Sequence, residues 1–236
     1  MRLLAAEVRA SLLELLRYPA YSIPTLVFPA TLYLVVAGRS RVDPAARMVG
    51  FAAIAVLGVA FFQFGVGIAH ERSRPWERYL RTLPAPPSAR VLGRVLSALV
   101  FACGSAGAVV VAGAATGVAL PGSRLGAVAG ALVLGAVPFA LLGISIGYTV
   151  PARAAVPLAN LLYLPLAYLG GLWSGPRAPP HLPAALPTRS WADVVWAAAG
   201  ERAFNISALV ALAAWTGAFG LTAVWSYRRD EGERFS

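Results

Sequence analysis

Residues 48–69 read MVGFAAIAVLGVAFFQFGVGIA, and residues 70–90 read HERSRPWERYLRTLPAPPSAR. The first stretch has 22 residues and no charge. At about 1.5 Å per residue, a helix of that length covers the roughly 30 Å hydrocarbon core of a bilayer. The second stretch packs five arginines, two glutamates, four prolines and a tryptophan into 21 residues. The boundary at His70 is therefore where a membrane helix meets water, and the rest of the chain is read outward from it.

Five further apolar runs lie near 20–38, 92–119, 125–149, 154–174 and 203–226, each long enough to cross as a helix. Composition agrees: 58% of residues are hydrophobic and 13% charged, against about 25% charged in soluble domains. The expected fold is an all-α integral membrane protein with six transmembrane helices, forming a single transmembrane domain over 1–236. Pro24, Pro29, Pro138, Pro157 and Pro165 fall inside runs. Spanning helices tolerate proline where neighbours satisfy the freed carbonyls, so these mark kinks rather than ends. Gly113 and Gly117, Gly126 and Gly130, and Gly143 and Gly147 are spaced for close helix packing.

Residues 1–18 place Leu4, Val8, Leu12, Leu15 and Leu16 on one helical face and Arg2, Glu7, Arg9, Glu14 and Arg17 on the other. This predicts an amphipathic interfacial helix, and its charges argue against a signal peptide. The longest connection, 170–202, predicts a short external helix near 190–199. Ser190 and Asp193 would form its capping box, Gly200 its stop, and Trp191 and Trp196 its anchors at the membrane interface.

All 20 basic residues are arginine, against 10 acidic ones. With both termini cytoplasmic, 13 arginines fall inside and seven outside, which follows the positive-inside rule despite Arg39, Arg41 and Arg47 in an outer loop. A net charge of +10 does not point to nucleic acid here, because no basic face is interleaved with stacking aromatics. Cys103 is the only cysteine, so neither an intrachain disulfide nor a thiolate metal site forms.

Several mechanisms are excluded or disfavoured. A Walker A loop needs a lysine for the phosphates, and the chain has none, so any ATP that powers it binds another chain. Beyond Arg94 at the very start of the third run, the apolar runs lack Asp, Glu, Arg and His, which disfavours an ion-coupled carrier. No catalytic or metal-ligating constellation is present, so the chain by itself is not expected to be an enzyme. Phe61, Phe62, Gln63 and Phe64 in the second run, and Asn160, Tyr163 and Tyr168 in the fifth, either pack helices or line an apolar path.

Within 70–90, Ser73 or Arg74 caps a short helix with Pro75 in its first turn. Trp76, Tyr79, Leu80 and Leu83 share one face, Glu77, Arg78 and Arg81 occupy others, and Pro84 ends it. From pattern alone, this helix is either a stiff lever for a soluble partner or a basic loop resting on headgroups.

Glu71, Arg72, Trp76, Glu77, Arg78, Leu80, Leu83 and Pro84, with Leu92, Gly93 and Arg94 opening the third run, resemble the signature of the permease subunit of ABC-2 type ABC transporters. Arg74, Pro75 and Trp76 stand where that family often has Gly-Thr before Leu-Glu. The resemblance implies a coupling helix between spans two and three, contacting a separate nucleotide-binding subunit through Glu71, Arg72, Trp76, Glu77, Arg78, Leu80, Arg81, Leu83 and Pro84. It implies a paired permease in the bacterial inner membrane, with ATP and Mg on the partner subunit. Spans two and five would border the path of a hydrophobic or amphipathic substrate such as a drug, antibiotic or lipid-like molecule. A scaffold or assembly factor that binds a cytosolic partner through the same loop is the alternative.

Overall fold

A computed structural model describes residues 8, 9, 13, 17, 19–37, 42–74, 87–176 and 186–235. All regular structure among them is helical: α1 (Pro19–Ala37), α2 (Pro44–Ser73), α3 (Pro87–Ala115), α4 (Gly122–Thr149), α5 (Ala152–Leu169), α6 (Pro187–Ala199) and α7 (Ile206–Phe235). Five segments are long and apolar enough to cross a membrane: Pro44–Ser73, Leu92–Ala115, Gly122–Thr149, Ala152–Leu169 and Ile206–Glu231. The apolar part of α1 is shorter, Thr25–Val36. The N-terminal helix expected over 1–18 lies outside the described residues apart from four of its positions.

The helix ends differ from the apolar runs for local reasons. The run 92–119 overshoots α3, which ends at Ala115 because Gly117 turns the chain at φ 81°. The run 154–174 overshoots α5, where Gly171 at φ 82° closes a turn after Leu169. The run 203–226 falls short of α7, whose polar last turns continue to Phe235. At the start of α2, Asp43 accepts a hydrogen bond from the Ala45 amide at 3.0 Å, and Pro44 occupies the first turn, where a missing N–H costs little.

Helix α2 is the centre of the bundle. It packs against α1, α3, α4, α5 and α6, and its first half is buried almost continuously from Ala46 to Phe61. The outer faces of the other helices carry Val27, Phe28, Val111, Leu161, Val210 and Leu221 exposed. Such apolar surface suits a membrane interior better than water. Small residues let α2 and α4 touch closely. A methyl added at Gly143 would stand 2.7 Å from the Ala60 carbonyl oxygen, and one at Gly147 would stand 2.8 Å from that of Phe64. The other glycine pairs behave differently: Gly126 and Gly130 meet nothing within 4 Å in this chain, and Gly117 serves a turn.

Prolines 24, 29, 138, 157 and 165 all lie within continuous helix. Pro29 has no N–H for the Thr25 carbonyl, and the Ser105 hydroxyl of α3 donates to that oxygen at 2.7 Å. Within α2, residues Ala60–Val66 form a π-helical segment, a wide turn often found at functional sites.

The helix expected to be external starts at Pro187, three residues before the expected capping box, and Ser190 instead donates to the Leu186 carbonyl. Gly200 ends it in the left-handed conformation, φ 79°. Trp191 and Trp196 are not interfacial anchors. Both are fully buried, donating to the Ala131 carbonyl at 3.0 Å and the Ala46 carbonyl at 3.3 Å. Trp191 lies against Gly135, where any side chain would collide with the indole. Helix α6 is therefore a plug seated between α2 and α4.

Candidate coupling site and transport path

The two ends of the bundle follow from the contacts. Arg72, Gly147 and Asp230 meet, so α2, α4 and α7 all finish on one face. Tyr33 meets Thr116, and Ala46 meets Trp196, so α1 and α3 finish, and α2 starts, on the opposite face with α6. The 75–86 segment leaves from the first face.

Of the expected coupling residues, Glu71 and Arg72 sit in the last turn of α2. Trp76, Glu77, Arg78, Leu80, Arg81, Leu83 and Pro84 lie outside the described residues. Glu71 pairs with Arg94 of α3. Arg72 is engaged three ways. One terminal nitrogen meets Asp230 of α7 at 2.6 Å, the other donates to the Gly147 carbonyl of α4 at 2.8 Å, and the guanidinium lies 5.8 Å from the Tyr148 ring centroid. The Gly147 oxygen belongs to the last turn of α4, whose carbonyls have no partner within the helix. Tyr148 meets Tyr227 edge to face at 5.3 Å, and the Tyr227 hydroxyl donates to Glu231 at 2.6 Å.

Asp230, Gly147, Tyr148 and Tyr227 are not among the coupling residues expected from the sequence. One signal was readable: Asp230 is an acid among the arginines of RRDEGER, placed after the last apolar run, on the side expected to hold Arg72.

The candidate path residues divide into two groups. Phe61, Gln63 and Phe64 lie in the π segment and are buried within the chain. The Gln63 side-chain nitrogen is buried with no hydrogen-bond partner. Phe62 is half-buried and meets Tyr163 of α5 edge to face at 6.1 Å. Tyr163 is buried and donates to the Ile54 carbonyl at 3.3 Å. Asn160 and Tyr168 occupy the outer face of α5 instead, with Leu161 and Leu164, and Tyr168 is 60% exposed. The Asn160 amide nitrogen donates to the Val156 carbonyl one turn back. The structure thus joins Phe62 to Tyr163 and leaves Asn160 and Tyr168 facing away from the bundle.

At the opposite face, Asp193 of α6 lies between Arg189 at 3.2 Å and Arg202 at 3.0 Å. Burial pushes its carboxyl above the ordinary carboxylate range, and the two guanidiniums pull it back down. Arg124 donates to the Ala199 carbonyl at 2.7 Å and caps the end of α6. Among the described residues, no group of three or more His, Cys, Asp or Glu is placed to hold a metal.

No curated protein matches the chain. The family described as ABC-2 type transporter matches residues 2–177, about three quarters of the 236 residues. An apolar multi-helix bundle and that match agree: this is a multi-pass membrane protein that belongs to the ABC-2 type transporter family.

Proposed function

We propose that this chain is the permease subunit of an ATP-driven exporter, working as a pair of copies with a separate ATPase subunit. Family membership carries the proposal. The lysine-free sequence supports placing ATP and Mg on the partner, since no phosphate-binding lysine is available here. The partner docks on the face from which the 75–86 segment emerges, and closure of the ATPase pair moves that segment. In this reading α1 is the first of six spans, and both termini lie on the cytoplasmic side of a bacterial inner membrane.

The substrate passes between the two copies, along the face of α5 that carries Asn160 and Tyr168 and past Phe62 of α2. A polar amide turned toward acyl chains is costly, which supports a second copy or a substrate path against that face. A path without formal charge suits a hydrophobic or amphipathic molecule.

The first experiment is purification of the tagged chain from its native host in mild detergent, followed by identification of co-eluting proteins. The expected result is a stoichiometric subunit carrying a Walker A motif, whose ATP turnover falls when residues 76–83 are replaced by a Gly-Ser linker. Absence of such a subunit under conditions that keep other membrane complexes intact would overturn the proposal.

A further inference from the structure

We propose that Arg72 and Asp230 form the mechanical joint through which movement of the 75–86 segment reaches the last membrane helix, which makes Asp230 a positioning residue for coupling. The coupling half of this inference rests on the function proposed above; the joint itself rests on geometry alone.

Asp230 is 5% exposed, and a carboxylate that buried is costly to leave uncompensated. Arg72 supplies the opposite charge at 2.6 Å. Its planar fork also reaches the Gly147 carbonyl at 2.8 Å, so one guanidinium ties the ends of α2, α4 and α7 together. Lysine offers a single ammonium and cannot present two fixed donors in those directions. Tyr148 beneath the guanidinium and Tyr227, one turn before Asp230, brace the joint through their own ring contact.

Position makes this more than a stabilising ion pair. Arg72 lies in the last turn of α2, which ends at Ser73, and Arg74 follows in extended conformation immediately before the 75–86 segment. Glu71, its neighbour, pairs with Arg94, on the far side of that segment in α3. The segment is thus held at its root by two adjacent residues with opposite charges. One leads to α3 and the other to α7. Helix α7 otherwise packs on α4 and α6, so the joint gives it a side-chain link to α2 beside the segment's departure point. Asp230 also lies beyond the 2–177 stretch matched by the family. The joint therefore couples a part of the chain inside that match to a helix outside it. Glu71 and Arg72 then act through their links to α3 and α7, and contact with the ATPase is left to residues further along the segment.

The test uses the full chain together with the ATPase that co-purifies with it, in lipid nanodiscs, on a Cys103→Ser background. Nitroxides at Ser73→Cys and Arg228→Cys report the joint, and nitroxides at Arg153→Cys and Arg228→Cys report movement of α7 when ATP and orthovanadate are added. The expected result is one narrow 73–228 distance, and a 153–228 distance that shifts with nucleotide. Asp230→Asn should broaden the first at least twofold and abolish the second, with the ATPase still bound. Asp230→Glu should restore the shift, and Arg72→Lys should not. A nucleotide shift that is unchanged in Asp230→Asn and Arg72→Lys would overturn the proposal, as would an unbroadened 73–228 distance in both. If no ATPase co-purifies, the exporter proposal fails by itself, and the 73–228 arm still decides the joint.

Discussion

Asp193 lies on α6 with its side chain 12% exposed, between two guanidiniums. Burial raises the pKa of its carboxyl, with Arg189 and then Arg202 opposing. A carboxyl whose folded pKa is raised binds its proton more tightly when folded than when unfolded. Its contribution to stability is therefore unfavourable above the raised value, and that penalty disappears as pH falls toward the ordinary value of 3.8. Asp193→Asn cannot ionise and loses this dependence. We expect the Tm of the wild type in detergent to rise relative to that of Asp193→Asn as pH is lowered through that window. A Tm difference that stays constant with pH would show that Asp193 does not titrate in this way. Arg47 illustrates what residue-level reading missed. Counted by position it is an outer-loop arginine, yet it is 5% exposed and stacked 5.7 Å from the Tyr33 ring centroid. A charge count assigns sides of a membrane but does not see a side chain reaching across to the ring of a neighbouring helix.

The elements were more legible than the contacts between them. Long apolar runs declare helices because an unpaired backbone is intolerable in hydrocarbon, so α1 and α4 begin and end close to where their runs do. What the runs could not declare was set by side chains from elsewhere. Pro29 sits in mid-helix because Ser105, 76 positions away, donates to the Thr25 carbonyl. Ser105→Ala should therefore cost about 1 kcal/mol of stability. In a Pro29→Ala background it should cost less, since the restored amide then bonds that carbonyl; thermal unfolding of the four variants tests this as a double-mutant cycle. The π segment of α2 was likewise invisible in AFFQFGV, because a wide turn has no composition of its own. Its physical signature is one extra residue relative to an α-helix. Deleting Phe62 should let the segment relax to regular helix while keeping Arg72 in register with Asp230. Deleting Ala53 from the α-helical part should rotate everything beyond it by about 100° and prevent folding. Monodispersity in detergent separates the two, and equal damage from both deletions would argue against the π turn. The glycine motifs make the same point. Spacing treated the three pairs alike, but only Gly143 and Gly147 both stand against another helix's backbone, so Gly147→Ala should cost about 1–3 kcal/mol while Gly126→Ala should be nearly neutral.

At the scale of the whole molecule, α2 is enclosed by its neighbours while α5 is covered on one side only. Ala155, Ala159, Tyr163 and Ala167 point inward; Val156, Asn160, Leu161, Leu164 and Tyr168 point outward. The outward face combines large apolar side chains with an amide and a phenol, a mixture suited to another protein surface more than to acyl chains alone. Under the pairing of two copies proposed above, this face is the one whose polar groups gain most. With Cys103→Ser as background, Asn160→Cys should form a disulfide-linked dimer under mild oxidation in native membranes, because two-fold symmetry brings equivalent positions on a shared face near each other. Val210→Cys, on the exposed face of α7, should remain monomeric under the same conditions. The cross-link must also depend on dilution. Disulfide yield that falls as lipid is added in excess would reflect random collision, whereas a stable pair keeps its yield. If Asn160→Cys and Val210→Cys cross-link equally, α5 has no special place at the interface. The path proposed along Asn160 and Tyr168 would then have to be sought on α2, around Phe62 and the unpaired amide of Gln63.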